Sequence, residues 1–149
     1  MHRTTRQPAA GTDEFPRSTT GLLPARDTEA VQLADGGELD LRIAPVAKAI
    51  ESEVVRMLAY NGSIPGPTLV VRQGSEIEVN VINEGDLEAT VHWHGLRLEN
   101  RYDGTHQTQE PIPVGGSMVG RPGAVARRSR PGRRATAVRA ASAAPRARR

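Results

Sequence analysis

The strongest regularity in this chain is a two-residue alternation of apolar and polar positions, repeated in short stretches from Glu38 onward. Leu39, Leu41 and Ile43 alternate with Glu38, Asp40 and Arg42, and Ile77, Val79 and Val81 alternate with Glu76, Glu78 and Asn80. Side chains on a β-strand point to opposite faces in turn, so this period predicts strands with one buried face. Pro45 is expected to limit the first run, because proline has no N–H to give to a ladder. Glu53–Tyr60 (EVVRMLAY) reads as a second strand, with a short helix as the alternative for its apolar run. Thr68–Arg72 is short and β-branched. Ala89–His94 is the last strand, with Val91 and Trp93 on one face and Thr90, His92 and His94 on the other. Asn61-Gly62-Ser63, Gln73-Gly74-Ser75 and Asn83-Glu84-Gly85-Asp86 carry turn chemistry, and Ile64-Pro65-Gly66-Pro67 stops any regular ladder. Short strands punctuated in this way predict an all-β antiparallel sandwich or barrel.

The flanks lack this pattern. Residues 1–36 are polar, broken by Pro8, Pro16, Pro24 and Gly36-Gly37, and read as a disordered arm. Residues 37–117 hold the strand-like domain. Residues 118–149 contain no Leu, Ile, aromatic or acidic residue, so they read as a non-globular basic tail that cannot complete a core.

Charge follows the same division. The net charge of +3 and pI near 10.1 suggest a nucleic-acid binder when the chain is taken whole. Ten of the twenty Lys and Arg residues lie in the tail, which leaves ten basic against seventeen acidic side chains, a formal −7, on residues 1–117. Any nucleic-acid binding would therefore run through the Arg-rich tail, and without aromatics there it would be nonspecific. No stretch approaches the ~18 apolar residues of a membrane span. The N-terminus lacks the apolar core of a signal peptide. As written, the chain is expected to be cytoplasmic, unless a misassigned start has removed a signal.

The candidate chemistry lies at His92-Trp93-His94. Two imidazoles one residue apart on a strand share a face, with Cα atoms about 6.5–7 Å apart. They can bind one metal together or two neighbouring metals with one ligand each. Neutral imidazole suits copper and zinc, and the Irving–Williams order favours Cu(II) at such a pair. Two ligands do not complete a site, and the same residues also fit an ordinary solvated strand face. A zinc hydrolase cluster is disfavoured, because Leu96 stands where its aspartate would fall. The chain has no Cys, which excludes disulfides and Cys-ligated copper. His106 lies in a polar loop and reads as solvent-exposed, and His2 sits in the arm. Asp103-Gly104 is first of all a turn; beside a metal its carboxylate could also move protons.

The segments YNGSIPGPTLVVRQGSEIEVNVIN, ATVHWHGLRLENRYDG and PIPVGGS together resemble the first, plastocyanin-like cupredoxin domain of laccase-like multicopper oxidases. Order, spacing and turn chemistry all agree over about residues 38–117. The resemblance implies a partial cupredoxin-like Greek-key β-sandwich with copper as cofactor. It implies that His92 binds type 2 copper and His94 one of the type 3 pair, with Asp103 supporting proton delivery. It also implies the family reaction, one-electron oxidation of a reducing substrate coupled to four-electron reduction of O2 to water.

The chain departs from that pattern. A second H-x-H, the H-x-x-H-x-H motif and the H-C-H motif with its type 1 cysteine are absent. After PIPVGGS the family continues into an aromatic-rich strand, whereas here GRPGAVARRSRPGRRA follows. Arg, Ala, Pro and Gly in this proportion are what a GC-rich gene yields in a shifted frame, so a truncated or frameshifted reading is expected. Such a chain would bind copper weakly through its His pair and would not turn over alone. The alternatives are a stand-alone copper-binding module and anion binding by the tail.

Overall fold

The computed structural model describes residues 16–93, 99–105, 107–121 and the backbone of 136–139. Among the described residues, seven strands are present: β1 (Ala30–Leu33), β2 (Glu38–Ile50), β3 (Glu53–Tyr60), β4 (Thr68–Val71), β5 (Glu78–Asn83), β6 (Ser117–Gly120) and β7 (Thr136–Arg139). They form a four-stranded sheet in the order β3-β2-β5-β6 and a three-stranded sheet in the order β1-β4-β7. No helix among the described residues is long and apolar enough to cross a membrane.

The alternation predicts the buried face correctly. Leu41 and Ile43 of β2 and Val79 and Val81 of β5 are buried, and they meet Leu69 and Val71 of β4 from the opposite sheet. Tyr60, Ile77, Val91, Trp93 and Ile112 complete this shared core, with Val31, Leu33 and Met118 packed against it. Side chains from both sheets thus fill one layer, which is the sandwich expected of an all-β chain.

Several details differ from the sequence reading. Two of the pairings, β1 with β4 and β2 with β5, are parallel rather than antiparallel. Parallel neighbours need a crossover, and the chain supplies it by passing through the other sheet between them. Glu53–Tyr60 is a strand, held along its length by antiparallel pairing with Ile43–Ile50. Pro45 does not end β2, because pairing with β5 stops at Ile43 and the missing N–H removes no bond on that side. Beyond that point the open side of β2 is met by the N-terminal segment. Ala25 donates its N–H to the Ala47 carbonyl at 2.8 Å, and Ala47 donates to the Leu23 carbonyl at 2.9 Å.

Part of the stretch read as a disordered arm therefore belongs to the sandwich. β1 carries Val31 and Leu33 onto the core, and Thr28 Oγ1 donates to the Pro65 carbonyl at 2.7 Å. The stretch read as a tail likewise contributes Met118 to the core and β7 to the edge of β4. Residues 1–15, 122–135 and 140–149 lie outside the described residues.

Two asparagines read as turn residues also bind the sheet. Asn61 Oδ1 accepts from the Arg42 N–H at 2.7 Å, and its Nδ2 donates to the Asp40 carbonyl at 3.0 Å, which prolongs the ladder past Tyr60. Asn83 is fully buried. Its Nδ2 donates to the carbonyls of Leu87 and Ile112 at 2.8 and 2.9 Å, and its Oδ1 accepts from the Gly85 N–H at 3.0 Å.

Candidate metal centre

His92 is presented by the extended segment Ala89–Trp93. The segment is not a ladder strand as expected. It is fastened at its start by a bridge in which Ala89 and Ile112 exchange N–H to carbonyl bonds of 3.0 and 2.8 Å. The period of two survives: Val91 and Trp93 are buried in the core, and His92 lies on the other face with 40% of its side chain exposed. Its neighbour across the site is the turn after a short 3-10 segment, Asn100–Tyr102, closed by Asp103 N–H on the Asn100 carbonyl at 3.1 Å.

This turn meets the imidazole from one side. His92 Nδ1 lies 2.7 Å from the Asp103 carbonyl oxygen and 3.3 Å from its carboxylate Oδ1. A carbonyl oxygen only accepts, so Nδ1 carries the hydrogen and donates it. The tautomer is thereby set, with the imidazole lone pair on Nε2. Second-partner anchoring of this kind orients metal-ligating histidines and makes the lone pair more basic. The ring, its tautomer and its partial exposure suit one nitrogen ligand to copper.

Gly104 sets how close the turn can come. Its φ is +69°, and a Cβ built there would fall 2.1 Å from the Val91 carbonyl oxygen and 2.9 Å from the His92 nitrogen. The Asp-Gly pair is therefore a turn, as the sequence suggests, and also a backbone contact with the segment that carries His92. The Gly104 N–H donates to Gln109 Oε1 at 3.0 Å, and Gln109 N–H returns to the Thr105 carbonyl at 2.9 Å. Sequence reading passes over Gln109, since a Gln in a Thr- and Gln-rich loop carries no periodic or motif signal.

His94 and His106 lie outside the described residues. Among the described residues, no three His, Cys, Asp or Glu side chains gather closely enough to hold a metal ion. His92 with Asp103 is thus the part of the candidate site that lies within the described residues.

The comparisons with known proteins agree with this architecture. Residues 44–122, just over half of the chain, match the family model for multicopper oxidases. The chain is 44% identical to Laccase-12 of Oryza sativa subsp. japonica over 66 residues, 42% of this chain and 12% of that one. It is 34% identical to the multicopper oxidase MmcO of Mycobacterium tuberculosis over 102 residues, 66% of this chain and 20% of that one. The crystal structure of a multicopper oxidase from Pseudomonas thermotolerans superposes with a TM-score of 0.56 at 32% identity, covering 64% of this chain and 23% of that one. The chain therefore spans only a small part of the length of these relatives. With its sandwich core and the extended segment that carries His92, it belongs to the multicopper oxidase family, as part of a laccase-like cupredoxin domain.

Proposed function

We propose that this chain supplies copper ligands of a multicopper oxidase trinuclear centre, His92 to the type 2 copper and His94 to one of the type 3 pair. The observation that carries the reading is the 2.7 Å contact from His92 Nδ1 to the Asp103 carbonyl, which keeps the lone pair on Nε2. Bound copper would supply the electron transfer to O2 by which the family oxidises reducing substrates. The chain's own residues hold the geometry. Trp93 and Val91 anchor the strand in the core, the Asp103 carbonyl orients the ring, and the Asp103 carboxylate beside Nδ1 is placed to hold or pass a proton.

Copper titration of the purified chain tests this directly. Cu(II) affinity, measured by chelator competition, is expected to fall at least tenfold in His92→Ala and further in the His92→Ala/His94→Ala double variant. Oxygen uptake with a phenolic substrate is expected to stay at background, since the chain has no Cys to build a type 1 centre. Equal affinity in wild type and double variant would refute the assignment. Tight stoichiometric binding lost in the double variant would favour a self-sufficient copper-binding module.

A further inference from the structure

We infer that Gln109 is a positioning residue for His92, acting through the Asp103-Gly104 turn; its relevance to copper rests on the proposed ligand role of His92. Gln109 is only 8% exposed, and its side chain folds back to accept the Gly104 N–H at 3.0 Å. The amide orientation is fixed by chemistry, because an N–H requires the oxygen and not the NH2 of Gln109. Gly104 in turn sits against the Val91 carbonyl, at a distance that leaves no room for a Cβ. Asp103, one residue earlier, accepts from His92 Nδ1 through its carbonyl. A single buried amide therefore sets the height of the turn, and the turn sets the tautomer and orientation of the imidazole.

A second observation separates this role from simple space filling. Gln109 Nε2 is buried and has no hydrogen-bond partner among the described residues. A buried donor left so costs stability, so an apolar side chain would fill this space more favourably. What the amide adds there is the oxygen that meets Gly104. The rest of the loop is closed separately, by the 2.7 Å contact between Thr105 Oγ1 and Thr108 Oγ1.

The test uses two variants of the full chain and two readouts. Gln109→Met removes the acceptor at similar length, and Thr108→Ala loosens the loop but keeps the amide. In the metal-free protein, 15N NMR of the His92 ring is expected to show the Nδ1–H tautomer in wild type and Thr108→Ala, and a mixture with Nε2–H in Gln109→Met. With Cu(II) added, Gln109→Met is expected to bind at least tenfold more weakly and to give a broadened EPR spectrum, while Thr108→Ala stays within twofold of wild type. An unchanged tautomer in Gln109→Met, or an equal loss in both variants, would overturn the inference. Failure of the copper reading has a different mark, since His92→Ala would then bind copper as well as wild type whatever the tautomer does. If Gln109→Met does not fold, exchange of the wild-type Gly104 amide decides: slow exchange supports the bond to Gln109, and exchange at the rate of an open loop refutes it.

Discussion

Gly104→Ala is expected to destabilise the chain by about 3 kcal/mol or more, the larger part from overpacking and the rest from backbone strain. The added methyl would lie 2.1 Å from the Val91 carbonyl oxygen and 2.4 Å from its carbon, and neither can rotate away as a side-chain tip would. Either the Asp103 turn lifts off His92, or the segment carrying Val91 and Trp93 is pushed into the core. A urea denaturation midpoint measures the loss of stability, and the His92 tautomer reports which side yields. Gly74→Ala separates the two causes. Gly74 also has a positive φ, +87°, but open space surrounds its missing Cβ, so only the strain of about 1–2 kcal/mol is expected there. Equal midpoints for the two variants would show that the close approach at Gly104 is not what matters.

Asn83→Ala is expected to cost about 3–4 kcal/mol, because it strips partners from three backbone groups at once. The Leu87 carbonyl loses its side-chain donor, the Ile112 carbonyl keeps only the Ala89 N–H, and the Gly85 N–H loses its acceptor, at a side chain with no exposed surface. Asn83→Asp keeps the shape, removes both donors and places a charge against two carbonyl oxygens. It is expected to be worse than Asn83→Ala at neutral pH. The consequence reaches the candidate metal centre, because Ile112 is the partner of Ala89, three residues before His92. Thermal unfolding orders the three proteins, and Asn83→Asp as stable as wild type would remove the donor argument.

How much of this was legible depends on the range over which each feature is determined. The faces of β2 and β5 and the opposite directions of Trp93 and His92 follow from a local period of two. They were readable from Leu39-Leu41-Ile43, Ile77-Val79-Val81 and Val91-Trp93. β1 was not, because AVQL is four residues long and its strand state comes from pairing with β4, almost forty residues later. Pro45 misled for the same reason, since its effect depends on whether β5 still lies alongside. At the site, the H-x-H motif and the Asp-Gly turn were visible. The Gln109–Gly104–Asp103–His92 relay was not, because it arises where a loop folds back onto a strand eleven residues away and no period encodes that.

The crossing of Leu23–Ala25 over Ala47 has a consequence for solution behaviour. Where β5 leaves β2, the outer half of a thirteen-residue strand would otherwise present bare N–H and carbonyl groups beside exposed Ile50 and Val54. Open edges of this kind template pairing with another molecule. The N-terminal segment thus acts as an internal guard against self-association. Proteolytic trimming ahead of β1 would leave the core contacts in place and still open this edge to aggregation.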